Sequence, residues 1–218
     1  MKNKKRLIII IAAAFIIFAV LSGIFVYIST RVYDGAHFGI EDYKSRKDAD
    51  GDGIDDQTDI LLSVKAYLDT KPRYKSVYYA ETGYPNDNYG VCTDVVAFGL
   101  LGAGYDLSAL VNADRAANPD DYRRDEKPDP KIDFRRVRNL IPYFKNNAIE
   151  LTTDISKIEE WMPGDIVVFE GHIGVISEHR DYLGVPLVYH HGSAGQTEYE
   201  QDILRSAEGK IVGHFRVS

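Results

Sequence analysis

From Leu7 to Ile28 the chain carries no charged residue. These are about 22 consecutive positions, or about 33 Å of helix, enough to cross the hydrocarbon core of a bilayer. Lys2, Lys4, Lys5 and Arg6 precede the run. By the positive-inside tendency they keep residues 1–6 cytoplasmic and send everything from about Thr30 outward. A cleaved secretory signal has a shorter apolar core and a small-x-small site after it, whereas Phe25-Val26-Tyr27-Ile28 fills that place here. Residues 7–28 therefore read as an uncleaved, single-pass anchor in the cell membrane, and residues 29–47, polar and aperiodic, as a stalk. No cysteine follows the run, which excludes lipoprotein processing. What remains outside suffices for one domain with a substantial core.

Cys92 is the only cysteine, so no internal disulfide supports the exported part. The net charge of -7, with no basic stripe, excludes nucleic acid as a partner. Cys92 lies in Gly90-Val91-Cys92-Thr93-Asp94, ahead of Val95, Val96, Phe98, Leu100 and Leu101, a buried helical segment that Gly102 and Gly104 stop. That puts the thiol in a first helical turn, where open amides and the positive dipole end favour a thiolate. Asp94 works against this if it faces the sulfur.

A second informative stretch runs from Asp48 to Asp59. With Asp48 as position 1 of a calcium loop, carboxylates fall at positions 1, 3, 5, 9 and 12 (Asp48, Asp50, Asp52, Asp56, Asp59). Gly53 falls at the sharp-turn position 6 and the Ile54 carbonyl at 7. The pattern resembles EF-hand-like loops and departs from them at position 12, where aspartate reaches less far than glutamate. A weak structural Ca2+ site over residues 48–59 is expected, tied to an amphipathic helix from Thr58 to Leu68. No cofactor is expected for catalysis.

The tyrosine-rich segment 71–88 leads to the cysteine, with Tyr78 and Tyr79 expected to approach the sulfur. Residues 112–133 read as a charged loop. A helix then opens at Ile132, with Phe134, Val137, Leu140, Ile141 and Phe144 on one face. Arg135 and Arg136 have two readings, a solvated face or a clamp on substrate carboxylates. Further on, Ile166-Val167-Val168-Phe169, the turn Glu170-Gly171 and His172-Ile173-Gly174-Val175 make a hairpin, and a third strand ends at His190-His191. His172 and His190 can thus face a cysteine on a helix in the order nucleophile, base and orienter. His179 and His214 have no such setting and read as structural.

Three blocks carry a resemblance: Gly90-Val91-Cys92-Thr93-Asp94, then Pro163-Gly164-Asp165 through His172-Ile173-Gly174-Val175, then Val188-Tyr189-His190. Together they resemble the NlpC-type cell-wall cysteine peptidases, which are papain-like. Residues from about Thr58 to Arg216 resemble the YijF-like domain of unknown function more closely, including Ile132-Asp133-x-Arg135-Arg136-Val137. The chain departs from the common NlpC pattern at Val91 and Thr93, where many of those enzymes carry aspartate and serine. The resemblance implies an α+β, papain-like domain over 58–218, with a nucleophile helix on a small antiparallel sheet. It also implies Cys92 as nucleophile, His172 as general base and His190 as its orienter, with His191 as runner-up. A cell-wall peptide is the expected substrate, contacted by Arg135, Arg136 and Tyr79. Competing readings are a zinc site on Cys92, His172 and His190, a non-catalytic wall-peptide binding module, and a thiol acyltransferase or lipase.

Overall fold

A computed structural model describes residues 2–206 and 210–217. It begins with α1 (Lys2–Ser29), whose segment Lys4–Ser29 holds an 18-residue window of mean hydropathy 3.0 and is long and apolar enough to cross a membrane. Anchors and signal sequences share that property.

The rest is a helical layer on one antiparallel sheet. Helix α2 (Asp56–Asp69) is capped by Asp55, which accepts the Thr58 amide, and it buries Ile60, Val64 and Leu68 at a spacing of four. Those residues pack on α3 (Cys92–Gly102), which is buried on nearly every side. Close approach depends on small residues of α3. A Cβ on Gly99 would lie 2.6 Å from Val64 Cγ2, and one on Gly102 would lie 2.5 Å from Ser63 Cβ. After a turn at Gly104 come α4 (Leu107–Ala117), capped by Asp106, and α5 (Val137–Asn147).

Two parallel residue pairs, β1 (Arg73–Tyr74) and β2 (Tyr89–Gly90), lead into the cysteine helix. The main sheet contains β3 (Ile149–Glu150), β4 (Ile166–Phe169), β5 (His172–Arg180), β6 (Pro186–Tyr189), β7 (Glu200–Gln201) and β8 (Ile211–Arg216). Their spatial order is β3-β8-β4-β5-β6-β7. Strands β4 and β5 form the expected hairpin, with Phe169 opposite His172 and Gly171 in the left-handed region at φ +79°. Both faces of the sheet are covered. Ile166, Val168, Ile173 and Val175 join the core under the helices, while Val167, Phe169 and Ile176 join Trp161, Val188 and Leu204 on the other side.

Two sequence expectations about organisation differ from the structure. The stalk is pinned to the domain: Tyr33 bridges Arg180 in both directions, Asp56 donates its amide to Lys47 O, and the Arg216 guanidinium sits 4.2 Å over the Tyr43 ring. The loop expected at 112–133 begins inside α4, and the following helix starts at Val137, after a separate 3-10 turn over Asp133–Arg135. Three of the charged residues in that stretch, Asp114, Arg115 and Asp133, point inward. Arg115 bonds Asp133 at 2.7 Å, and Asp114 accepts the Tyr122 hydroxyl at 2.5 Å.

Candidate active site

Cys92 opens α3 behind Val91, an N-cap with no polar side chain. The missing cap is supplied from inside the helix, because Asp94 accepts the Val91 amide at 2.8 Å. Arg135 grips the same carboxylate with two parallel bonds, Nε to Oδ1 at 2.6 Å and Nη2 to Oδ2 at 2.8 Å, and donates Nη1 to Val77 O at 2.5 Å. Both side chains are essentially without solvent contact, at 1% and 0% exposure. Tyr79 lies under this guanidinium at 5.1 Å and donates its hydroxyl to Asp87.

The sequence therefore misplaced its substrate-contact residues. Arg135 holds the start of the cysteine helix, Tyr79 backs Arg135, and Arg136 pairs with Asp133 and Glu126. From sequence alone, an arginine spent on a buried aspartate looks the same as one awaiting a ligand.

The Cys92 sulfur is buried against the backbone amides of Ile173 and Thr93. Burial outweighs those hydrogen bonds and pushes the thiol up to about 11. The expected resting thiolate is thus corrected: at neutral pH Cys92 is a thiol, because desolvation of the anion exceeds what the helix end returns.

His172 precedes Ile173 and so stands one residue from a backbone amide that favours the Cys92 anion. Its Nε2 lies 3.0 Å from His190 Nδ1, with the rings perpendicular, and His190 Nε2 lies 2.9 Å from Gln201 Oε1. Strand order creates this line, since β5 pairs β6 and β6 pairs β7, with Val188 opposite Gln201. The amide oxygen of Gln201 can only accept, and this fixes the rest. His190 carries its proton on Nε2 and accepts at Nδ1, and His172 carries its proton on Nε2. His172 Nδ1 is left with a lone pair, and no hydrogen bond among the described residues reaches it. Burial first, then His190 and His191, lower His172 to about 4, so it is a neutral acceptor at pH 7. Cys92 and His172 share no hydrogen bond among the described residues.

His191 turns away from this line. Its ring meets the edges of Tyr74 and Tyr199 at 5.1 and 5.2 Å, and its buried Nδ1 has no partner among the described residues.

A cleft of about 660 Å³ opens over His172, His190 and Gln201, walled by Tyr74 and residues 192–196. A neighbouring cavity of about 690 Å³ shares Tyr74 and adds Lys71, Arg73 and Lys75. Tyr74 lines both cavities, and its hydroxyl is pushed up by desolvation first and then by the charges of Cys92 and Asp94. Tyr78, expected to approach the sulfur, bonds Asp129 instead. Neither Gln201 nor Tyr74 was legible, because each belongs to a two-residue strand too short to leave a periodic signal.

Among the described residues, ligating atoms gather within 4.8 Å at Asp48, Asp50 and Asp52 and at Glu178, His179 and Glu200. The zinc trio Cys92, His172 and His190 forms no such group. Asp56 also leaves the expected calcium set, because its oxygens accept from the Ala49 amide and the Tyr105 hydroxyl.

The residues singled out are thus a buried thiol at the start of α3 and a line of imidazoles on the antiparallel sheet, with α3 packed on strand β5 of that sheet. Comparison with known proteins places the chain further. The family model described as a domain of unknown function (DUF1287) matches residues 62–217, and the chain belongs to that family. It is similar to the uncharacterized protein YijF of Escherichia coli (strain K12), 36% identical over 154 residues, which span 66% of this chain and 72% of the relative. No solved structure gives a significant match.

Proposed function

We propose that this protein is a membrane-anchored, extracytoplasmic thiol hydrolase that cleaves an amide in cell-wall peptides, and that its domain is papain-like and related to the NlpC-type peptidases. The observation that carries this reading is the Gln201–His190–His172 line, which leaves an imidazole lone pair at the start of β5, the strand packed on the cysteine helix. A buried polar chain of this kind is costly unless each member is satisfied, and its end is an unpaired base.

In the mechanism, His172 Nδ1 takes the Cys92 proton as the sulfur attacks the carbonyl carbon. Because thiol and imidazole rest neutral, transfer accompanies attack rather than preceding substrate binding. The Cys92 backbone amide, at the open end of α3, faces the developing oxyanion. Imidazolium His172, steadied through His190, gives its proton to the leaving amine, and water cleaves the thioester by the same steps reversed. Lys71, Arg73 and Lys75 supply the positive wall that suits the carboxylates of a wall peptide, the role first expected of Arg135 and Arg136.

The test is digestion of purified peptidoglycans of differing cross-bridges by the full chain in detergent, read by mass spectrometry beside Cys92→Ala. Fragments released by the wild type alone support the reading. Equal release by both proteins, or by neither, overturns it, and retention of both on the wall without cleavage would indicate a binding module.

A further inference from the structure

We infer that residues 48–59 and the first turn of α2 form a calcium site whose ligands are Asp48, Asp50, Asp52, Asp59 and the Ile54 carbonyl, and that the ion braces the far end of the cysteine helix. The loop precedes the segment that matches the family, so it is a feature of this chain beyond that match.

The three exposed aspartates bring one oxygen each within 4.8 Å of one another. The chain is wrapped around Asp48, which accepts the amides of Gly51, Asp52 and Gly53 at 2.7, 3.1 and 2.9 Å. The independent observation is Asp59. It is 94% buried, its Oδ2 is shielded from solvent, and that oxygen has no hydrogen-bond partner among the described residues. The charges it meets are carboxylates, Asp52 first, then Asp50, Asp48 and Asp55. A buried, unpaired acid surrounded by acids is unfavourable in the chain alone and favourable around a cation. Among the described residues no donor reaches the Ile54 carbonyl oxygen, which is free for the ion. The donors are all oxygen, so the ion is a hard one. A loop with mixed side-chain and backbone reach suits calcium better than magnesium, which requires a tighter octahedron.

The set is one ligand short of the sequence pattern, for a reason that shows what the site does. Asp56 is withdrawn to bind the Ala49 amide and the Tyr105 hydroxyl, and Tyr105 follows Gly104 in the turn between α3 and α4. A Cβ on Gly104 would lie 3.1 Å from the Asp50 amide. Loop and turn are therefore in contact, and ordering the loop fixes the end of the helix that begins at Cys92.

The experiment is thermal unfolding of the full chain in detergent with a chelator, with Ca2+, and with Mg2+ at equal concentration. Calcium at about a hundredfold excess over its Kd should raise Tm by about 5 °C or more, and magnesium by much less. Asp59→Asn should match or exceed the wild-type Tm in chelator and lose the calcium response. Asp50→Asn, an exposed change, should keep the chelator Tm and lose most of that response. A wild type that calcium does not stabilise would overturn the inference, as would a full calcium response in either variant. The readout is independent of catalysis.

Discussion

The imidazole line and the acidic loop handle buried polar groups in opposite ways. From Gln201 through His190 to His172 each contact is made by the protein, and one lone pair remains, on His172 Nδ1. In the loop, Asp59 is buried with an oxygen that the protein leaves unmatched. Paired groups fix a tautomer, while an unpaired one marks where something from outside is needed. The two regions also respond oppositely to acid. His172 is harder to protonate folded than unfolded, whereas burial and its aspartate neighbours raise Asp59 to about 6.

The most damaging change to the first region is loss of its base. His172→Ala should reduce turnover on the order of 10³-fold, far beyond what the modest loss of stability from unpairing His190 Nδ1 would cause. Full activity in that variant would remove the imidazole line from the mechanism. Next comes the support beneath the thiol. Arg135→Met should cost about 3–5 kcal/mol in chemical denaturation, because Asp94 would stay buried without its partner. Adding Asp94→Asn should recover part of that loss, and a cost below about 1 kcal/mol would mean that the pair does not hold α3.

Acid gives a signed test. The unfolded chain protonates histidine near 6.5, the folded chain protonates His172 near 4, and the unfolded state therefore takes up the proton first. The His172 contribution is fully present above about 6.5, is lost as pH falls to about 4, and is constant below that, a loss of roughly 3 kcal/mol. Asp59 opposes it in the same window, so the quantity to measure is the stability of wild type minus that of His172→Gln at each pH. A flat difference would contradict the buried, neutral imidazole. The smallest effect belongs to Gln201→Leu, which removes the acceptor that orients His190. It should lower kcat roughly 10- to 100-fold with KM little changed, as loss of an outer hydrogen bond to an imidazole does elsewhere. An unchanged kcat would show that the tautomer is set without Gln201.

How much of this was legible depended on the range of the interaction. The membrane-length run, the helix after Cys92 and the hairpin through Gly171 are local patterns, and each stands in the structure. His172 and His190 could be set side by side because a hairpin and one further strand bring them there. What the sequence hid were partnerships between distant residues. Arg135 looks exposed until Asp94, 41 positions away, claims it. Asp56 looks like a calcium ligand until Tyr105 takes it. Residues 29–47 look like a tether until Tyr33 pairs with Arg180. The thiol was misread for a related reason, since a helix end is visible in sequence and the depth of its burial is not.

The central claim, that Cys92 is the nucleophile, is tested most directly by acid-quenching the full chain during turnover of wall peptide and weighing the Cys92-containing peptide by mass spectrometry. The account predicts a peptide heavier by the acyl fragment, discharged by hydroxylamine and missing in Cys92→Ala. Product release with Cys92 unmodified, continuing in Cys92→Ala, would contradict it.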